Sequence, residues 1–420
     1  MPDCSRVIIR LFVPGQEDVG PGTSRAVPVI ERILGLSEAE TEAELVEVNN
    51  VFSSRHQGLT ETFLDHAAVV APRIDSRVEL SKARRLLLGA YFSHEFAIEG
   101  AALCNPSIVL HPQQPANGAA RFILSVRGVG EGHRSSIGFR TGTISAHGDV
   151  AIDTPGPFPI TATADSAPGL ADSCYRVEFP ITSDISERVL WPHAAAERHG
   201  MEDARFVRFV DDDGRHTYYG TYTAFDGVNI TQHLLQTQDF QTFEASAMAG
   251  GAATGKGLAL FPRKISGRFV ALSRSDRETN SVAFSDDIHC WTKSEIIQVP
   301  ERPWEVLQLG NCGSPLETDR GWLVLTHGVG PMRTYSLGAI LLDIDDPTLV
   351  LARSRTPLLS PGPKNRRDGY VPNVVYTCGA LAHNDTLIVP YGVADQRIEI
   401  ATVSISELLD SLLGDKVLER

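Results

Sequence analysis

An all-β domain assembled from five similar sheet units, with helices before it and one short helix after it, is the architecture this sequence predicts. Three observations predict it. Apolar residues recur at helical spacing only up to about residue 91. From about Glu99 onward the pattern changes to short alternating runs broken by Gly, Asp, Asn and Pro, the pattern of many short strands. Within that region one strand pair recurs: 121–127 with 135–140, 218–222 with 230–240, 269–274 with 281–291, 322–327 with 336–347 and 387–391 with 398–408.

Taken in order, segments 27–36, 38–51, 60–70 and 80–91 carry the helical period, and Ser37 before an acidic turn is an N-cap. Residues 1–90 are therefore expected to be a helical extension packed on the β-domain, and its helices suit an oligomer contact. The five units span residues 91–403, about 60 residues each, enough for a four-stranded sheet with insertions. Radial repetition would aim one end of each inner strand at a shared axis. Residues 404–420 hold the last helix and tail, with Ser404 as cap and Glu407 completing a capping box.

Composition narrows the function. The chain of 420 residues has a net charge of −14, which disfavours nucleic acid and anionic membrane as partners yet leaves room for a local basic pocket. No apolar run approaches the roughly 20 residues of a membrane helix, and the first fifteen residues lack a signal-peptide core. Six cysteines are scattered without a CxxC pair, against a zinc site or a disulfide framework. The expectation is a cytoplasmic protein with no metal and no organic cofactor.

The stretch at 198–205, Arg-His-Gly-Met-Glu-Asp-Ala-Arg, sets two adjacent carboxylates among basic residues at the lip of a strand. Charges of both signs can give two carboxyls different protonation states, as acid-catalysed cleavage of a sugar linkage requires, although a surface ion-pair cluster has the same composition. Residues following the inner strands add Arg127, Glu131 and His133 from the first unit and Tyr222 from the second. The third gives Arg274 after Lys256, the fourth His327 after Glu317, and the fifth Asp395. Carboxylates, bases and rings together suit a polyhydroxylated ligand. Gly128-Val-Gly-Glu-Gly precedes no helix, so a dinucleotide loop is excluded, and neither HExxH nor a serine elbow occurs.

Five ordered motifs resemble glycoside hydrolase family 130, the β-mannoside phosphorylases and β-mannosidases. They are Cys104-Asn-Pro-Ser-Ile-Val, Gly200-Met-Glu-Asp-Ala-Arg, Leu260-Phe-Pro-Arg-Lys-Ile-Ser-Gly-Arg-Phe, Gly321-Trp-Leu-Val-Leu-Thr-His-Gly-Val and Tyr391-Gly-Val-Ala-Asp. The resemblance implies a five-bladed β-propeller and inverting attack on a β-mannosidic bond. It makes Asp203 the proton donor, acting through a sugar hydroxyl. Asn105, Arg127 and Asp395 become holders of the mannose, and Tyr370 a further sugar contact; Glu131, His133, Glu202 and Tyr222 join them from the strand-end reading.

The anion pocket departs from the family's pattern. Arg274, His327 and Tyr335 keep their counterparts, but Lys256-Gly257 stands for an Arg-Asn pair and Gln308 for a lysine. Fewer cations hold a phosphate dianion poorly. Glu317 in the same region could deprotonate water, with Glu131 as a rival; an inverting hydrolase needs its base roughly 6.5–9.5 Å from the acid. The sequence therefore predicts an inverting glycosidase for short β-mannooligosaccharides, with water as nucleophile, Asp203 as acid and Glu317 as base. The alternative is a phosphorylase releasing α-mannose 1-phosphate, with inorganic phosphate as co-substrate. A remoter one is a non-catalytic carbohydrate-binding propeller.

Overall fold

The structure, a computed structural model, describes residues 1–14, 25–116, 118–165, 174–362 and 369–417. Two compact units divide the chain. The sequence also suggests that loops 145–171 and 361–367 set linkage and chain length; their parts 166–171 and 363–367 lie outside the described residues.

The smaller unit comprises residues 4–98 with 157–159. It contains α1 (Ala26–Leu34), α2 (Glu38–Phe52), α3 (Leu59–Val70) and α4 (Lys82–Tyr91), close to the expected segments. Ser37 caps α2 in a reciprocal box: its Oγ accepts from the Glu40 N–H, and Glu40 Oε2 accepts from the Ser37 N–H. Ile30, Ile33, Val70, Leu87, Leu88 and Phe92 form the core. Gly89 lets α4 lie on α3, since a Cβ there would sit 1.8 Å from the Phe63 carbonyl oxygen. The unit runs to Ile98 rather than stopping at residue 90, because Ser93–Ala97 returns to pair antiparallel with Val7–Leu11.

The larger unit is almost wholly β-sheet. All five recurring pairs form antiparallel hairpins: Ala120–Val129 with Ser135–Ile144, His216–Phe225 with Ile230–Thr237, Phe269–Ser273 with Asn280–Ser285, Gly321–Gly330 with Thr334–Leu342, and Thr386–Val393 with Arg397–Ser404. The first two belong to one twelve-stranded sheet, joined by a parallel Gly200–Ser135 step, and no described sheet closes on itself.

Both faces of the inner strands are buried, and alternate residues serve different cores. Trp322 and Val324 pack toward the third hairpin with Val270 and Leu272; Leu323 and Leu325 pack toward the fifth with Leu387 and Val389. Phe139 and Phe206 meet between the first and second hairpins, and Leu234 meets Ala271 between the second and third. A further core sets Leu103, Phe122 and Leu124 of the first unit against Leu381 and Ile388 of the last. Residues Leu408, Leu409 and Leu412 of α5 (Ile405–Val417) join the core of the last two hairpins. Ser404 Oγ accepts from the Glu407 N–H at 3.1 Å, which makes Ser404 the cap of α5 that the sequence suggested.

Candidate active site

Three backbone irregularities build the site. The ladder slips between Cys104 and Ser107, between Glu202 and Arg205, and the chain turns after Val393. Asn105, Asp203 and Asp395 sit at these points with φ of 48°, 55° and 47°, a left-handed region that Asn and Asp tolerate best. A bulge re-aims a side chain that the pleat would otherwise send into a core. All three residues line one cavity of ≈ 330 Å³.

Asp203 is buried. Its Oδ1 accepts from Asn105 Nδ2 at 2.5 Å and from Arg127 Nη1 at 3.1 Å. Arg127 also donates from Nη2 to Glu202 Oε1 at 2.7 Å and from Nε to Ser135 Oγ at 2.9 Å. The second oxygen of Glu202 receives Lys256 Nζ at 2.7 Å, so one carboxylate joins the two cations. Behind the bulge Arg205 donates to the Asp203 carbonyl (2.8 Å), the Cys312 carbonyl (2.8 Å) and the Tyr376 hydroxyl (3.1 Å), tying three sheets together.

Burial alone would push the Asp203 carboxyl up. Arg127, then Lys256 and Arg205, outweigh it, and with the Asn105 hydrogen bond hold the carboxyl well below the usual range. Asp395 goes the other way. Burial and then the Asp203 charge push it up to about 6, against the opposing pull of Arg127 and Arg333. The cavity thus holds one firmly ionised carboxylate and one that retains its proton into mildly acid solution.

On the other wall Arg274 lies between two glycines. A Cβ on Gly257 (φ +95°) would come within 2.2 Å of Arg274 Nε, and one on Gly310 within 2.8 Å of Arg274 Cδ. Its Nε donates to the Lys256 carbonyl at 3.2 Å and its Nη1 to His327 Nε2 at 2.9 Å. Burial, then Arg274 and Arg205, drive the His327 pKa well below its ordinary value, so the ring is neutral. Tyr335 stacks on it, ring centroids 6.0 Å apart at 8°. Arg277 and Arg333 complete the cationic lining, and Gln308 and Tyr376 also face the cavity. Among the described residues no group of His, Cys, Asp and Glu has the arrangement of a metal site.

Comparison with known proteins shows the family. Residues 166–413 match the sequence model of glycoside hydrolase family 130, described as β-1,4-mannooligosaccharide phosphorylase. The chain belongs to glycoside hydrolase family 130. It is similar to the 1,2-β-oligomannan phosphorylase of a Thermoanaerobacter species, 34% identical over 239 residues, 56% of this chain and 75% of that protein. It is also similar to the β-1,2-mannobiose phosphorylase of Listeria innocua, 32% identical over 229 residues, 53% of this chain and 63% of the relative's length. The solved structure of the Listeria protein with β-1,2-mannobiose aligns with a TM-score of 0.53 at 22% identity, over 76% of this chain and 93% of that one, a likeness of fold.

In this family-130 chain the cavity gathers Asn105, Arg127, Asp203, Lys256, Arg274, Tyr335 and Asp395 from the residues that the sequence singled out. It does not gather the rest. Glu317 is half-exposed and clamped by Arg263, Nη2 to Oε1 at 2.8 Å and Nε to Oε2 at 3.0 Å. Its hairpin register puts it opposite Trp322, five residues along the strand from His327, roughly 17 Å away at strand rise. The expected base is therefore displaced by the geometry of the hairpin. Its rival Glu131 is exposed on the turn after Ala120–Val129 and is not part of the lining.

Tyr222 is fully buried and gives its hydroxyl to Glu197, because strand alternation turns it into the core. Glu202 and His327 stand behind the lining and act through the cations they hold. His133 Nδ1 and the Tyr370 hydroxyl bond each other at 2.9 Å, both exposed and outside the lining.

Arg277 and Arg333 were missed. Arg333 had a signal: Gly330-Pro-Met-Arg repeats the turn Gly130-Glu-Gly-His with nearly the same angles, so Arg333 is the fourth unit's equivalent of His133. Arg277 had only its place three residues beyond Arg274.

Proposed function

We propose that this family-130 enzyme is an inverting β-mannoside phosphorylase that releases α-mannose 1-phosphate from short β-mannooligosaccharides. The observation that carries the reading is the charge of the cavity. Five cations line it, Arg127, Lys256, Arg274, Arg277 and Arg333, against the carboxylates Asp203 and Asp395, with Glu202 behind. With all three carboxylates ionised the excess is two positive charges, or three with Arg205 behind Asp203. A phosphate dianion offsets it; water leaves it standing in a partly buried site. The preference for water that the sequence suggested rested on counting lost cations and on Glu317. Two unforeseen arginines restore the count, and Glu317 lies elsewhere. The names of the two relatives point the same way.

In this reading a phosphate oxygen, held by Lys256, Arg274 and Tyr335, attacks C1 as the glycosidic C1–O bond breaks. The leaving oxygen takes a proton from Asp203 by way of a sugar hydroxyl. The anionic nucleophile needs no base. Bound phosphate offsets Lys256 and Arg274, which lets the Asp203 carboxyl rise toward the protonated form that a donor requires. The Asn105 Oδ1, buried without a hydrogen-bond partner among the described residues, is an acceptor for the sugar.

The ring of cores, each between successive hairpins and the last between fifth and first, supports a five-bladed propeller. Six cysteines scattered without a CxxC pair suit a reducing compartment such as the cytoplasm.

The test is incubation with β-1,2- and β-1,4-mannobiose, with and without phosphate. Strictly phosphate-dependent release of mannose 1-phosphate with inverted configuration is expected; free mannose at a phosphate-independent rate would return the enzyme to the hydrolases.

A further inference from the structure

Arg277 stands apart from the other cations of the cavity. Arg127 and Lys256 are neutralised by Glu202, and Arg127 also by Asp203. Arg274 is fixed by His327 and the Lys256 carbonyl. Arg333 lies with its guanidinium carbon 5.9 Å from the Tyr335 ring centre and is felt by Asp395, on the sugar side. Arg277 has no hydrogen-bonded or ion-paired side-chain partner among the described residues.

Two carboxylates flank it in the chain, Asp276 and Glu278, and among the described residues neither pairs with it. Asp276 Oδ1 accepts from the N–H groups of Glu278 and Thr279, each at 3.0 Å, and Oδ2 accepts from Thr279 Oγ1 at 2.6 Å. The Asp276 carboxylate is spent on shaping the turn. That turn gives Arg277 a left-handed φ of 68°, with its N–H bonded to the Arg274 carbonyl at 2.9 Å. The next residue anchors it beside the neighbouring sheet: the Glu278 carbonyl accepts from the Leu309 N–H at 3.1 Å. Arg277 and Gln308, each one residue before a partner of that bond, both line the cavity together with Arg274.

We propose that Arg277 is the anion-recruiting residue of the site: an exposed, unneutralised guanidinium that binds the phosphate dianion at the mouth and, in the reverse reaction, the phosphate of the sugar phosphate. This rests on the phosphorylase reading and adds which residue sets phosphate affinity. A protein of net charge −14 repels phosphate at long range. A cation left unpaired at the entrance focuses the local field and raises the anion's concentration there. A guanidinium also offers two parallel donors to phosphate oxygens, beyond what a point charge supplies.

The experiment measures initial rates of phosphorolysis at varied phosphate for the wild type, for Arg277→Asn and for Arg277→Asn combined with Gln308→Lys. Asparagine tolerates the left-handed backbone, so the turn is kept. The expected result is a phosphate KM raised about tenfold in Arg277→Asn with the mannobiose KM within twofold of wild type, and recovery of most of the loss by Gln308→Lys. Phosphorolysis with an unchanged phosphate KM would overturn the assignment. So would a rise in both KM values that Gln308→Lys does not mend, which marks damage to the turn. The wild-type arm separately tests the parent reading: turnover that ignores phosphate would defeat that reading itself, whatever the variants do.

Discussion

Arg274 donates from Nη1 to Nε2 of His327 at 2.9 Å, so the imidazole is the acceptor and the guanidinium the held group. The ring is fully buried and neutral, and cannot offer a positive charge to phosphate. Its task is to stop Arg274 from turning. His327→Ala should leave Arg274 free to swing, with loss of a hydrogen bond to a charged group worth about 1.5–3 kcal/mol. We expect the phosphate KM to rise by roughly 10- to 100-fold, with the mannoside KM moving far less. Steady-state kinetics with each substrate varied separately check this.

Asp203→Asn should separate binding from chemistry. The amide oxygen can still accept from Asn105 and Arg127, so the sugar side keeps its shape. With the proposed proton donor gone, kcat should fall by roughly 10²- to 10⁴-fold. Calorimetric titration with mannobiose should return an affinity near that of the wild type; a large loss of binding would show that Asp203 holds the sugar rather than protonating the leaving group.

Asp395 makes stability depend on pH in a direction opposite to most carboxylates. Its pKa is pushed up to about 6 by burial and by Asp203, above the ordinary 3.8. Its favourable contribution is therefore complete below the ordinary value and is lost as pH rises from about 4 through 6, where ionisation beside Asp203 becomes a cost. Asp395→Asn removes that cost. The free variant should be more stable than the wild type at pH 8, by roughly 3 kcal/mol, with no such advantage at pH 4. Urea unfolding at the two pH values measures the difference, and the variant should be a poor enzyme at both.

Much of this was legible in the sequence because sheet strands declare themselves by alternation. The five hairpins and helices α1 to α4 lie close to where pattern put them, and Asn105, Asp203 and Asp395 were found through their motifs. What pattern could not supply was direction. Tyr222 and Glu317 are both near inner strands, but one points into a core and the other lies at the far end of its hairpin. A spacing in residues does not say which end of a strand faces the cavity. The ribbon Val7–Leu11 with Ser93–Ala97 escaped for a different reason: its two strands are separated by all four helices, and pairing over that distance leaves no local signature. Arg277 and Arg333 sit in turns, where no hydrophobic period points at anything.

Glu317 offers the sharpest comparison between the two nucleophiles. A hydrolase built as the sequence first suggested would lose turnover when this carboxylate is neutralised, because Glu317 is the base of that mechanism. In the structure Glu317 is bound through both oxygens to Arg263, and Arg263 lies over the Trp322 ring at 4.9 Å, on a face separate from the cavity lining. Half-exposed ion pairs of this kind contribute about 1 kcal/mol or less. Glu317→Gln should therefore keep kcat and both KM values within about twofold of the wild type, with a melting temperature lower by no more than a few degrees. Loss of turnover in a folded Glu317→Gln protein would put the base back in the mechanism and water back as the nucleophile.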